Sequence, residues 1–198
     1  MADSIGAIKQ AQPGFKPTLC IIQVGEQSAS STYIRMKRQA AQQCGIETRH
    51  IQLPTDADEE TIRAQVRTLN NDPTVDGILV QLPLGDHIDS DAERRITEEV
   101  AASKDVDGFH TLNIGLLSSK ACNPHFKPCT PAGVIRLLES VGLSDLSGLH
   151  AVVMGRSDIV GNPVATMLRA ANCTVTQVHS RSKDVQNILS HADIVVVA

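Results

Sequence analysis

Lys37 is the residue whose position most needs a reason. In STYIRMKRQAAQQCG (31–45) the apolar positions Tyr33, Ile34, Met36, Ala40, Ala41 and Cys44 recur near a spacing of 3.6. Arg35, Arg38, Gln39, Gln42 and Gln43 fall mostly on the other side of the same helix. Lys37 lands on the apolar stripe, one turn after Tyr33, the only tyrosine in a chain without tryptophan. An amine held on that face beside an aromatic ring can orient a water or trade protons with a bound ligand. Taken alone, it also reads as a snorkelling surface lysine.

A second chemistry-bearing stretch is AVVMGRSDIVGNP (151–163), with Gly155 directly after a strand pattern and Gly161 just before a helix. Such a loop lets the backbone approach a diphosphate and aims helix N–H groups at it. The spacing is G-x5-G, with Ser157 where a second glycine is common, so by itself it reads equally as a plain strand-to-helix turn. The next strand ends in HSRS (179–182). An NAD-selective site commonly carries an acid there for the ribose 2′-hydroxyl, and here it is absent. Ser180 and Arg181 approach the same region as Arg156, a hydroxyl and guanidinium set suited to a 2′-phosphate, which points to NADP.

Other combinations carry less. Cys122, His125 and Cys129 have no fourth partner at zinc spacing, so no metal site is expected. Cysteines at 20, 44, 122, 129 and 173 form an odd set without C-x-x-C, which suits reduced thiols. A net charge of −4 gives no general pull toward nucleic acid or anionic membranes. No apolar run reaches the ~18 residues of a membrane span, and the start MADSIGAIKQ has no targeting pattern, so a cytoplasmic location is expected.

The elements that must position these residues alternate along the chain. Apolar runs at 19–25, 51–54 and 75–83 are separated by helical patterns after Ser30, at 57–72 and at 90–101. Near-continuous Val/Ile/Leu runs between amphipathic helices predict a parallel sheet covered on both faces. From Ser103 to Thr130 the pattern pauses in a long connection. Then Pro131 opens a helix that ends at Gly142, and a second series follows: strand, glycine loop, helix from about Pro163, strand 174–178, helix from about Asp184, strand 194–198. The fold class is α/β: an N-terminal parallel-sheet domain over 1–130, then an incomplete Rossmann-like dinucleotide-binding domain over 131–198.

YIRMK, DGILVQLPL, KDVDGFHTLNIG, KPCTPAGV and VVMGRSDIVGNPV stand in the order and spacing of the methylenetetrahydrofolate dehydrogenase/cyclohydrolases, including that domain of C1-tetrahydrofolate synthase. The chain resembles this family over nearly its whole length. The resemblance implies NADP-dependent oxidation of 5,10-methylenetetrahydrofolate to the 5,10-methenyl cation and its hydrolysis to 10-formyltetrahydrofolate, in one-carbon metabolism and purine biosynthesis. It implies substrate contacts at Tyr33, Ile34, Arg35, Met36, Lys37, Val80, Gln81, Leu82, Pro83 and Asp107. Of these, Lys37, Gln81 and Asp107 take the catalytic roles, and Gly155, Arg156, Ser157 and Ser180 contact the dinucleotide. Tyr33 could stack on the flat pterin, Asp107 could accept two of its N–H groups, and Gln81 could hold Lys37 by a hydrogen bond. Taken alone, Asp107-Gly108 reads as a turn and Gln81 as a polar strand end. The partners implied are tetrahydrofolate derivatives and a second copy, as a homodimer through the nucleotide domain, with no nucleic acid or membrane.

The ends depart from the family. Members begin with a further helical segment, whereas only SIGAIKQAQPGF precedes the first strand here, and they continue past the third nucleotide-domain strand. Two readings therefore stand: a bifunctional enzyme of which this chain is a part, or a truncated, non-catalytic isoform that binds ligand partially or joins full-length subunits.

Overall fold

The structure, a computed structural model, describes residues 2–26, 28–119 and 122–198. Its contacts divide the chain into two compact units, Met1–Val106 and Asp107–Ala198.

The first unit is built on three parallel strands, β1 (Thr18–Val24), β2 (Glu47–Leu53) and β3 (Gly77–Val80), in the order β2-β1-β3. Register is fixed by Thr18 opposite Glu47 and Leu19 opposite Gly77. Side chains alternate across the sheet, so Cys20, Ile22 and Val24 share one face with Ile78 and Val80. On that face pack α3 (Glu59–Asn71), through Ile62, Val66 and Leu69, and α4 (Ser90–Glu99), through Ile96. Spacings of three and four residues put each helix's apolar side chains on one stripe. Both helices start at an aspartate cap: Asp58 accepts from Thr61 N at 2.8 Å and Asp89 from Ala92 N at 2.7 Å. The opposite sheet face, Ile21 and Leu79, is covered by Ile34 of α2 (Ser28–Gln43).

The second unit repeats the arrangement. Strands β4 (His150–Met154), β5 (Thr174–Val178) and β6 (Ile194–Val197) are parallel in the order β5-β4-β6. Ala151 and Val153 pack with Val164 and Leu168 of α7 (Gly161–Ala170) and with Val134, Ile135 and Leu138 of α6 (Cys129–Ser140). In both units the second and third strands lie on opposite sides of the first. The reversal of strand order at β1 and at β4 opens a crevice at their carboxyl ends, where α/β sheets bind ligands.

Several expectations change. SIGAIKQ belongs to a helix, α1 (Ala2–Ala11), whose Lys9 Nζ donates to Gly45 O at 2.7 Å, so a helical segment does precede β1. The connection after Ser103 contains α5 (Thr111–Ser118), capped by His110 Nδ1, which accepts from Leu112 N at 3.0 Å. The unit boundary falls at Val106/Asp107 rather than at 130/131. Ile78 N donates to Lys104 O at 2.7 Å, which ties 104–105 to β3, whereas Gly108, at φ +71°, lies so close to Lys127 and Pro128 that a Cβ there would be 2.8 Å from Pro128 N. Helix α7 starts at Gly161, two residues before Pro163, and α6 starts at Cys129, two before Pro131. β2 extends back to Glu47; as an edge strand it carries polar residues that hide it in the sequence.

Candidate functional site

In the first unit the crevice at β1 and β3 is marked by one side-chain pair. Gln81 directly follows β3, and its backbone N donates to Ile22 O at 2.9 Å, continuing the ladder past Val80. Its carboxamide Nε2 donates to Leu82 O at 2.8 Å, which turns Oε1 outward, and Lys37 Nζ donates to that oxygen at 3.1 Å. The cis Leu82–Pro83 peptide follows, and Leu84 N is held by Glu93 Oε1 at 3.1 Å. A flexible amine is thus given one position by a carboxamide that is itself fixed.

The rest of the helix stripe sorts differently from its periodicity. Ile34 and Ala41 are buried and Lys37 and Cys44 half-buried, but Tyr33 is 61% exposed, Met36 59% exposed and Ala40 exposed. Ile34 packs on the sheet, with Ser30 and Ala41 of α2 also buried, so Lys37 borders an open surface on which the Tyr33 ring stands free of the core. Val80 is buried in the strand, and beyond it Leu82 is half-buried and Pro83 exposed. Arg35 lines a separate open groove of about 1130 Å³ between α2 and β2, with Gln23, Ser31, Arg38 and His50. That groove includes neither Lys37 nor Gln81. Buried Gln23 bridges it, donating to Ser31 Oγ at 3.3 Å and lying 2.9 Å from His50 Nε2. Burial, and then the Arg38 charge, hold the His50 imidazole below its ordinary pKa.

Asp107 is half-buried at the start of the second unit, in the turn that Gly108 seats against Lys127 and Pro128. In that unit the glycine loop leaves the carboxyl end of β4. Gly155 has φ +126°, open only to glycine, and its N donates to Val178 O at 2.8 Å. A Cβ on Gly161 would lie 2.7 Å from the Gly155 carbonyl, so the loop's two ends touch backbone to backbone. Ser157 Oγ accepts from Val160 N at 3.3 Å and Gly161 N at 3.2 Å, and Ser157 O accepts from Asn162 N at 2.9 Å. With Pro163 carrying no N–H, the first-turn donors of α7 are spent on Ser157 rather than aimed outward, unlike the expectation for a phosphate loop. Ser157 keeps its own hydroxyl proton to donate.

Arg156 and Ser180 stand exposed, each two residues past the paired positions Met154 and Val178 on neighbouring strands. Arg181 is exposed in a turn whose N–H bonds to His179 Nδ1 at 3.1 Å. The first carboxylate after β5 is Asp184, at the start of α8 (Val185–Ser190). Two residues missed in the sequence tie the loop together: Gln177 Nε2 donates to Gly155 O at 2.9 Å and to Asn162 Oδ1 at 3.0 Å. A polar residue next to the end of a strand, beside a glycine loop, was the available signal. Among the described residues no three His, Cys, Asp or Glu side chains gather as metal ligands, and all five cysteines are free thiols. No helix among them is long and apolar enough to cross a membrane.

Comparison with known proteins finds a domain match in each unit. Residues 1–107 match the tetrahydrofolate dehydrogenase/cyclohydrolase catalytic domain, and residues 128–198 match the NAD(P)-binding domain of the same proteins. The cytoplasmic C-1-tetrahydrofolate synthase of Saccharomyces cerevisiae is 50% identical over 198 residues, all of this chain and 20% of the relative. Bifunctional protein FolD 1 of Mesorhizobium japonicum is 48% identical over 183 residues, 92% of this chain and 60% of the relative. The chain therefore spans a fifth to three-fifths of the length of these relatives. Among solved structures, the bifunctional FolD of Campylobacter jejuni superposes with a TM-score of 0.90 at 40% identity, over 100% of this chain and 69% of that one. The Trypanosoma brucei FolD, complexed with NADP cofactor and inhibitor, superposes with a TM-score of 0.91 at 36% identity, over 100% and 66%. With two domain matches in sequence order and a shared fold at this identity, the chain belongs to the tetrahydrofolate dehydrogenase/cyclohydrolase family.

Proposed function

We propose that this chain is the folate-site and dinucleotide-site portion of a bifunctional enzyme. It oxidises 5,10-methylenetetrahydrofolate to the 5,10-methenyl cation with NADP+ and hydrolyses that cation to 10-formyltetrahydrofolate. The observation that carries the reading is the Lys37 Nζ to Gln81 Oε1 hydrogen bond, 3.1 Å, at the carboxyl end of β3.

Hydrolysis adds water to a carbon that its two nitrogen neighbours already make electrophilic. As the C–O bond forms, the water must lose a proton, and as the C–N5 bond breaks, N5 must gain one. Lys37 is the group for both transfers: Gln81 fixes its Nζ, and Leu82 O fixes Gln81. Exposed Tyr33 offers its face to the pterin, with Met36, Leu82 and Pro83 assigned to the surface around it, buried Ile34 and Val80 to the support beneath, and Arg35 to the ligand from the neighbouring groove. Asp107 is assigned to the N–H edge of the pterin, where a carboxylate accepts two hydrogen bonds.

NADP+, when bound, supplies the hydride acceptor for the oxidation. The residues fit it: Gly155 and Gly161 leave no room for side chains in a loop that backbone must approach. Arg156, Ser157 and Ser180 are hydroxyl and guanidinium donors, and no carboxylate follows β5 before Asp184 to repel a 2′-phosphate. The reading extends to a cytoplasmic homodimer formed through the nucleotide-binding unit, serving purine biosynthesis, with no nucleic acid or membrane partner. A low net charge supports the lack of a nucleic acid or anionic membrane partner, and the cytoplasmic yeast relative supports the location, although mitochondrial relatives of similar identity stand beside it.

The test uses the purified chain with methylenetetrahydrofolate and NADP+, and separately with the methenyl cation. Hydrolysis is expected to fall by about 10²–10⁴ in Lys37→Ala with the circular dichroism spectrum retained. Hydrolysis surviving in that variant, or a folded wild-type chain that turns over neither substrate, overturns the reading.

A further inference from the structure

We propose that Gln177 is the positioning residue that sets the Gly155–Gly161 loop in its dinucleotide-binding shape, an inference that rests on the NADP reading above. Its carboxamide lies half-buried on β5 opposite Val153. One nitrogen, with two hydrogens, bonds to Gly155 O at 2.9 Å and to Asn162 Oδ1 at 3.0 Å. Asn162 passes the constraint on, its Nδ2 donating to Asp158 Oδ1 at 2.8 Å and its N to Ser157 O at 2.9 Å. Gln177 thereby joins the beginning of the loop to its end, and Asn162 joins the end to the middle.

The chemistry requires a double donor at this position. Both acceptors are oxygens, so a carboxylate would set like against like, and a thioether would leave both oxygens without a proton. Gly155 at φ +126° turns its carbonyl into a direction that a helix or a ladder does not satisfy, and Gln177 meets that oxygen. An uncapped carbonyl at the root of the loop would repel a diphosphate, and Gln177 removes that acceptor from the anion's surroundings. Because the loop faces the diphosphate shared by NAD and NADP, Gln177 acts on affinity for both, whereas Arg156 and Ser180 act on the choice between them.

The experiment is calorimetric titration of NADP+ and NAD+ into the wild-type chain, Gln177→Met and Gln177→Glu. For Gln177→Met both Kd values are expected to rise about tenfold, with their ratio unchanged and the amide-exchange protection of β4, β5 and β6 retained. Gln177→Glu is expected to bind more weakly still. Unchanged Kd values, a changed NADP/NAD ratio, or a loss of affinity matched by a general loss of folding overturns the proposal. Should either variant fail to fold, amide exchange of the wild-type chain decides. The Gln177 carboxamide protons are expected to exchange more slowly than those of exposed Gln10, and equal rates overturn the proposal. A wild-type chain that binds neither dinucleotide sinks the cofactor reading itself, and the wild-type exchange result then tells that failure from a failure of Gln177 to hold the loop.

Discussion

Replacing Lys104 with methionine tests how the first unit holds the segment that leads to Asp107. Lys104 Nζ donates to Leu69 O at 3.1 Å, Asn70 O at 2.8 Å and Asp72 O at 2.8 Å, closing the carboxyl end of α3. Its own carbonyl accepts from Ile78 N at 2.7 Å, so the same residue joins α3 to β3. Hydrogen bonds from a charged donor contribute about 1.5–3 kcal/mol each, and a cation at a helix C-terminus adds about 0.3–1 kcal/mol. Against this stands about 2 kcal/mol for immobilising the side chain, and the three carbonyls are partly open to water. Water reaching those carbonyls once the ammonium is gone cuts each bond to about 1 kcal/mol, that of an ordinary exchange, so the net contribution is about 2 kcal/mol, and methionine keeps the stem while removing the donor.

Two compact units make a single melting transition a poor measure, so the assay is amide hydrogen exchange resolved by peptide. A loss of about 2 kcal/mol opens the structure about 30-fold more often, and the Ile78 amide and the last turn of α3 are expected to exchange faster by that factor. Acceleration under about threefold would refute the assignment of Lys104 as the clamp at this junction, since water would then be replacing the ammonium at little cost.

Two further outcomes follow, one in each unit. Gly161→Ala places a Cβ 2.7 Å from the Gly155 carbonyl and 2.9 Å from Arg156 N, all backbone, so the loop must open at a cost of about 1–3 kcal/mol. NADP+ affinity is expected to fall at least about tenfold by titration with helix content retained, and unaltered affinity would show that the tight loop closure is not needed for binding. His50 has a pKa held down in the folded state, so the unfolded chain takes up the proton first as pH falls. Stability from this group is present above about pH 6.5 and is lost as pH drops through the lower folded value. The urea midpoint should fall more between pH 7.5 and 5.5 in the wild-type chain than in His50→Asn, and identical falls would exclude His50 as the cause.

The parts of this structure that were legible were those whose local pattern and tertiary setting agree. Buried strands β1, β3 and β4 read as continuous Val/Ile/Leu because both faces are covered, and α3 and α4 read from their amphipathic stripes. β2 was half-read because the edge strand alternates Thr48, His50 and Gln52 on the groove side with Ile51 and Leu53 on the core side. Helix α5, TLNIGLLS, is apolar nearly all round with Gly115 inside it, so no period announces it. Helix α1 is short, and its link to the rest is a lysine reaching a carbonyl 36 residues away, which no local rule reveals.

The Lys37 oddity shows why a stripe and a site differ in kind. Periodicity ranks positions by the side of a helix they share, and it placed Tyr33, Met36 and Lys37 together with Ile34 and Ala41. Packing then divides that side, because a three-stranded sheet is narrow and α2 packs on it through Ile34, with Ser30 and Ala41 also buried. The uncovered remainder is apolar surface next to the carboxyl end of β3, and an amine there stays ordered only if something fixed accepts its proton. Gln81 meets that condition because its backbone extends the sheet and its amide nitrogen is already committed to Leu82 O, leaving the oxygen as the outward group. A glutamine one residue past a strand end looks ordinary in a sequence. Its worth lies in a distance of 3.1 Å across 44 residues of chain, which is set by strand order and not by spacing.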